Sequence, residues 1–115
     1  MRYNSQFPKK KMKNTPGYNF ERCLVHTVVE IAEKKFKNHS TFARYVWSGP
    51  SAVTRWRQIR NISGKRPQSL TIADAFDLAN AVGQELPSLC FIVDQKIKGG
   101  WAWRDFDKYS EDNQS

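Results

Sequence analysis

Residues 40–58 of this chain read Ser40-Thr-Phe-Ala-Arg-Tyr-Val-Trp-Ser-Gly-Pro-Ser-Ala-Val-Thr-Arg-Trp-Arg-Gln58. Apolar residues recur at helical spacing on both sides of Ser48-Gly49-Pro50, and that tripeptide is a strong chain-breaking signal. The pattern predicts a helix over about 41–47, a sharp turn, and a second helix over about 50–59. Pro50 would occupy the first turn of the second helix, where no backbone donor is needed.

Positive charge is concentrated around this segment. Between Lys34 and Ala73 the chain has nine Lys or Arg residues and no Asp or Glu, and its net charge is +8. A basic field carried by a helix-turn-helix pattern favours double-stranded DNA as the partner, ahead of an acidic membrane surface. No apolar run is long enough for a membrane span, and no signal peptide is recognisable. We therefore expect a cytoplasmic protein with Cys23 and Cys90 as buried free thiols.

The second helix of the pattern has two distinct faces. Val53, Trp56 and Ile59 repeat at helical spacing and are expected to face the core. The opposite stripe consists of hydrogen-bonding side chains without an acid, which favours base reading in the major groove. The alternative is an ordinary solvated helix face. The predicted base-reading residues are Ser51, Thr54, Arg55 and Gln58.

Polar and basic residues around the reading face are predicted to contact phosphates, which position a protein on DNA without reading sequence. Their alternative role is general solubility. Residues 1–19 are basic and poor in apolar residues, so we expect a flexible arm that follows the backbone or enters the minor groove, or else an inert tail. The predicted phosphate contacts are Ser40, Thr41, Arg44, Arg57, Arg60, Lys65 and Arg66, and those of the arm are Lys9, Lys10, Lys11 and Lys13.

The rest of the chain predicts one all-α domain over 20–90 with a short C-terminal strand or hairpin. The expected N-caps are Asn19 for the first helix, Asn38 or Ser40 for the second, and Ser69 or a Thr71–Asp74 capping box for the fourth. The fourth helix spans about 70–82 and ends at Gly83 in a left-handed conformation. After one helical turn at 86–89, residues 91–104 are strand-like, and 105–115 form an acidic disordered tail.

From Leu24 to Leu89 the sequence resembles the Cro/phage-repressor (lambda repressor-like) helix-turn-helix family. The resemblance implies a compact bundle of five helices, in which the second helix of the motif enters the major groove. Trp47 replaces the usual glycine of the family's turn, and Pro50 replaces a residue that often reaches DNA. The matching residues are Phe42, Ala43, Val53, Trp56, Arg66, Pro67, Leu78, Ala79, Val82, Gly83, Leu86 and Leu89.

Cro-like proteins also pair through a C-terminal strand, so the resemblance implies a homodimer interface in the strand-like segment. Its predicted members are Phe91, Val93, Trp101 and Trp103. The expected function is that of a sequence-specific transcriptional regulator, most simply a repressor, binding a two-fold operator as a homodimer. One alternative is an antitoxin or adaptor that binds a protein partner through its C-terminal segment. Another is an RNA or single-strand binder that stacks bases on the tryptophans.

Other chemistry has little support in the sequence. Cys23 and His26 have the spacing of half a zinc site, which His39 and Cys90 would have to complete, but no second closely spaced pair exists. A core thiol and a surface histidine are the expected roles. No nucleophile elbow, phosphate-binding glycine loop or apolar carboxylate pair is found. We therefore expect neither a metal or other cofactor nor an enzyme.

Overall fold

The computed structural model describes residues 15–61 and 67–103, and it confirms the predicted all-α fold of five helices. Within these ranges, none of the helices is both long and apolar enough to cross a membrane. The helices are α1 (Pro16–Lys35), α2 (His39–Val46), α3 (Ala52–Arg60), α4 (Ile72–Ala81) and α5 (Leu86–Lys98).

Helix α1 begins earlier than predicted. Its N-cap is Thr15, whose hydroxyl accepts a hydrogen bond from the Tyr18 backbone N–H at 3.1 Å. The predicted cap Asn19 is wrong, because this residue lies inside the helix and is only 2% exposed. Its Oδ1 instead accepts a hydrogen bond from the Trp103 backbone N–H at 2.7 Å. Residues 16–19 of the predicted arm are therefore helical, while residues 1–14 lie outside the described ranges.

The signals at the ends of α2 and α4 are confirmed. Asn38 caps α2 by accepting from the Thr41 N–H at 2.8 Å. At α4 the Thr71–Asp74 capping box forms with both of its reciprocal bonds. Gly83 follows α4 with φ 82°, the left-handed conformation expected of it. These short-range polar patterns predict helix ends well because the bonds that make them are local.

The predicted strand at 91–104 is wrong for its first part, because residues 91–98 belong to α5. Leu89 and Val93 lie one turn apart and are fully buried, and α5 packs mainly on α1. Burial of this helical stripe outweighs the strand preference of Phe91-Ile92-Val93. Residues 101–103 have no regular structure, and residues 15–61 and 67–103 contain no strand. The predicted acidic tail lies outside those ranges.

One hydrophobic core joins all five helices. Trp56 is its largest fully buried side chain, and Phe42 meets it edge-on with ring centroids 5.2 Å apart. Aromatic pairs in this geometry add about 0.5–1.5 kcal/mol to the stabilisation from burial. Because Phe42 lies on α2 and Trp56 on α3, this contact holds the two helices of the motif together.

The turn between α2 and α3 is longer than predicted. Helix α3 starts at Ala52 rather than Pro50, so residues 47–51 connect the helices. Gly49 has φ 108°, which side-chain-bearing residues rarely adopt. A Cβ there would meet no atom within 4 Å, so the requirement for glycine is a backbone requirement and not one of space.

We predict that Gly49→Ala lowers the free energy of unfolding by about 1–2 kcal/mol, because an L-residue is strained at this φ. Urea unfolding followed by circular dichroism measures the change. Gly17→Ala is the matched control, since Gly17 lies in the first turn of α1 and a Cβ there makes only an ordinary 3.8 Å contact. That control should be neutral or stabilise by up to about 1 kcal/mol. Equal losses of stability from both variants would contradict the conclusion that the backbone at position 49 requires glycine.

Candidate nucleic-acid interface

Helix α3 presents one buried and one exposed side, much as its sequence predicts. Trp56 and Ile59 are fully buried, while Val53 is only half-buried and Ala52 takes the core position beside the turn. The other side carries hydroxyl, amide and guanidinium groups and no acid. The exposed residues there are Ser51, Thr54, Arg57 and Gln58.

A hydrogen-bonded chain fixes the rotation of α3 about its own axis. The Trp56 indole N–H donates to His39 Nδ1 at 3.0 Å, and His39 Nε2 lies 2.9 Å from a carboxylate oxygen of Glu33. An indole N–H can only donate, so Nδ1 is the accepting nitrogen. Nε2 therefore carries the proton and donates a hydrogen bond to Glu33. The chain thus links α3 to α2 and α1, and the polar side of α3 is held outward.

Arg55 is less exposed than Ser51, Thr54 and Gln58, the other residues predicted to read bases. Its guanidinium pairs with Asp74 of α4, which is 2% exposed, and lies 4.8 Å from the centre of the Trp47 ring. This guanidinium therefore connects α3, α4 and the turn. The sequence shows Asp74 only as a capping residue, because nothing local marks an ion pair across 19 positions. Arg55 has a structural partner in addition to any role on DNA.

A buried arginine holds the C-terminal end of α3, and no local pattern in the sequence identifies it. Arg22 of α1 is 1% exposed, and its Nη1 donates to the Ile59 carbonyl at 2.7 Å. Its Nη2 donates to the Gln68 carbonyl at 3.4 Å and pairs with Glu21 at 3.2 Å. Carbonyls at helix C-termini lack intrahelical partners, and a cation satisfies them well. Arg22 therefore fixes both α3 and the start of the 67–70 segment.

The residues predicted to contact phosphates differ in their exposure to solvent. Arg44 and Arg57 are exposed, whereas Arg60 lies over the Trp56 ring at 5.6 Å. Burial, and secondarily the charge of Arg57, lower the pKa of Arg60, but an arginine stays charged at neutral pH. At the start of α2, Ser40 is half-buried and Thr41 exposed. Lys65, Arg66 and the arm residues Lys9, Lys10, Lys11 and Lys13 lie outside the described ranges.

The predicted dimer residues do not form one exposed surface. Val93 is fully buried in its own protomer, so it offers no surface to a partner. Trp101 packs on His26 at 5.5 Å between ring centroids, and the Trp103 ring lies 5.9 Å from the Arg22 guanidinium. Both tryptophans are half-buried against α1. Phe91 alone of the four is largely exposed, at 64%.

The residues weighed as zinc ligands have other contacts. Cys23 is fully buried beside the Val93 carbonyl, and burial raises the pKa of its thiol. The His26 ring lies 3.3 Å from Glu30, and both ring nitrogens of His39 are bonded as described above. Within 15–61 and 67–103 no three His, Cys, Asp or Glu side chains are grouped so that they could hold a metal ion.

Comparisons with known protein families, with curated proteins and with solved structures find no match for this chain. The case for a function therefore rests on the chain's own geometry and charge.

We predict that Asp74→Asn lowers the free energy of unfolding by about 1–3 kcal/mol, because it removes the charge that Arg55 pairs with and weakens the α4 cap. Thermal or urea unfolding gives the change. Asp77→Asn is the control, since Asp77 is exposed on the same helix, and it should change stability by less than about 0.5 kcal/mol. If Asp74→Asn lowers the free energy of unfolding by the same amount in the wild type and in the Arg55→Met variant, the two side chains are not coupled.

Proposed function

We propose that this protein is a sequence-specific regulator that binds double-stranded DNA as a homodimer, with α3 as the recognition helix. The observation that carries the proposal is the outward side of α3, where Ser51, Thr54 and Gln58 are exposed on a helix whose rotation is fixed by buried Trp56. Occupancy of promoter DNA by such a protein would most simply repress transcription.

The shape of the element suits the major groove. Helix α3 has nine residues, and an α-helix with its side chains is about 10–12 Å across, which fits the major groove of B-DNA, about 12 Å wide. Gln58 carries the amide that pairs with adenine N6 and N7, while Ser51 and Thr54 hydroxyls bond to either kind of base edge. Arg55 could take guanine only by leaving or sharing Asp74, so we assign the first base contacts to the other three residues.

The charges around α3 also support a polyanionic partner. The acids that border the basic stretch are Glu33 and Asp74. Asp74 pairs with Arg55, whereas Glu33 accepts a hydrogen bond from the neutral His39 ring and keeps its charge. Arg44 and Arg57 are exposed, and no acid lies between Glu33 and Asp74 in the chain. Phosphates approaching this side would therefore meet cations without an opposing acid from the same segment.

The arm starts close to the recognition helix. Arg22 touches the C-terminal end of α3, and Thr15 lies seven residues before it on α1, a rise of about 10 Å. Residues 1–14 contain five basic residues and no acid, and an extended chain of that length reaches over about 45 Å. The arm can therefore add phosphate contacts beyond those of α3.

The alternative functions have less support. The RNA or single-strand alternative depends on stacking by Trp101 and Trp103, and both rings are half-buried against α1. An adaptor binding through its C-terminal segment would depend on the same residues. Both alternatives predict that substitutions on α3 leave nucleic-acid or partner binding unchanged.

We predict that Gln58→Ala weakens binding to duplexes selected from a random library by about 1–3 kcal/mol and binding to random duplex much less. Among the bonds within residues 15–61 and 67–103, Gln58 takes part through its backbone, whose carbonyl accepts from the Gln68 N–H at 3.1 Å, so the fold should be unaffected. Fluorescence anisotropy titrations measure both affinities.

Arg57→Ala is the comparison variant for this experiment. It should weaken selected and random duplexes alike and reduce the slope of log K against log salt by about one, since a phosphate contact carries no sequence information. Equal effects of Gln58→Ala on both duplexes would contradict base reading by Gln58.

We predict that deleting residues 1–14 leaves helical circular dichroism intact and flattens the salt dependence of duplex binding, by about one unit of slope per phosphate contact removed. The deletion ends before Thr15, so the α1 cap is kept. Titrations at several salt concentrations give the slope. An unchanged slope would show that the arm makes no phosphate contact.

A further inference from the structure

We infer that two copies of this chain associate through the outer face of α4, which is centred on Ile72 and Phe76. The inference rests on the proposed function and adds the surface that would join two recognition helices. It also replaces the C-terminal segment as the interface, since Val93 of that segment is buried within the protomer.

Two of the four large apolar residues that are exposed in the described part of the chain lie together on α4. Ile72 is 79% exposed and Phe76 51%, compared with 66% for Tyr45 and 64% for Phe91. Ile72 and Phe76 lie four residues apart, so they are neighbours on one side of the helix, with exposed Ala73 beside them. Asp77 and Asn80 continue the side with polar groups, as at the rim of an interface.

Charge favours a second copy as the occupant. Residues 67–95 contain no Lys or Arg, so two α4 faces can meet without the repulsion that would oppose contact between two basic α2–α3 surfaces. The acids of the region are partly neutralised as well. Asp74 is buried with Arg55, and Asp94 pairs with Lys98 at 3.0 Å. Asp77 at the edge of the face and Glu85 beyond the end of α4 are exposed acids, so the centre of the face at Ile72 and Phe76 is uncharged while its surroundings are mildly acidic.

The position of α4 also suits a dimer on DNA. The Asp74–Arg55 pair ties the inner side of α4 to α3, so a contact between two copies of α4 would hold the two α3 helices in a defined relation. One short recognition helix reads only a few base pairs, which cannot select a site among about a million competitors. Two copies of α3 in fixed register supply the missing discrimination.

Phe91 is the control position for the α4 face. It is the large exposed apolar residue of α5, but Ser88 and Gln95 next to it on the same side are polar. Phe91→Glu therefore introduces the same kind of change as Ile72→Glu outside the α4 face, at a site whose exposed neighbours one turn away are Pro87 and the polar Ser88 and Gln95. Glu at position 72 stands in the first turn of α4, where a negative charge favours the helix, so the fold should tolerate it.

The test is sedimentation of the wild type, Ile72→Glu, Phe76→Gln and Phe91→Glu over a range of micromolar concentrations, with circular dichroism as the check on folding. We expect a wild-type dimer whose dissociation constant rises about tenfold or more in Ile72→Glu and Phe76→Gln, and changes less than about twofold in Phe91→Glu. A wild type that is monomeric both free and on selected duplex would overturn the inference. Dissociation caused by Phe91→Glu but not by the α4 variants would overturn it as well.

Duplex binding by the same proteins separates this inference from the proposed function. If the wild type prefers selected over random duplex and the α4 variants lose both the dimer and most of that preference, both proposals are supported. If no protein binds any duplex while the α4 variants alone dissociate, the interface is upheld and the DNA-binding function fails. If wild-type duplex binding is strong and the protein is monomeric throughout, the DNA-binding function stands and the α4 interface fails.

Discussion

The burial of Trp56 is the contact on which the arrangement of this protein depends. Its ring fills the space between α2 and α3 against Phe42, and its N–H is satisfied by His39, whose other nitrogen is tied to Glu33. A fully buried indole N–H without an acceptor would be costly, so the position of His39 and that of Trp56 determine each other. Because Trp56 points inward, Thr54, Arg57 and Gln58 point outward.

Two arginines extend this constraint to both ends of α3. Arg55 joins α3 to α4 through Asp74 and to the turn through Trp47, and Arg22 of α1 donates to the Ile59 carbonyl at the end of α3. Basic residues in this chain thus have two kinds of role. Some connect helices through specific contacts, and others, such as Arg44 and Arg57, are exposed.

The local features of the fold could be predicted from the sequence. The helix-turn-helix pattern, the Asn38 cap, the Thr71–Asp74 box and the left-handed Gly83 all depend on residues within a few positions of one another. The sequence does not reveal the start of α1, because Thr15 and Pro16 follow a strongly basic run. The helical state of 91–98 was missed because Phe91-Ile92-Val93 has strand preference, which packing against α1 overrides.

For the candidate site, as for the fold, the sequence predicts the local features and not the long-range contacts. Periodicity placed Ser51, Thr54 and Gln58 on the outer side of α3, because one turn of a buried helix determines the next. Periodicity could not show that Arg55 would pair with Asp74, nor that Arg22 would cap α3, since both contacts join distant parts of the chain. The exposed pair Ile72 and Phe76 was likewise hidden, because a sequence does not show which apolar side of a helix is left uncovered.

The most direct test of α3 as a recognition helix is a nuclear magnetic resonance titration of the labelled protein with a selected duplex. We expect the largest shift changes at the backbone of α3 and the 47–51 turn and at the Gln58 side-chain amide. Buried groups of the α1–α5 contact, such as Cys23 and Val93, should change little. Changes confined to Trp101–Trp103, or a stronger response to single-stranded than to duplex DNA, would contradict the account.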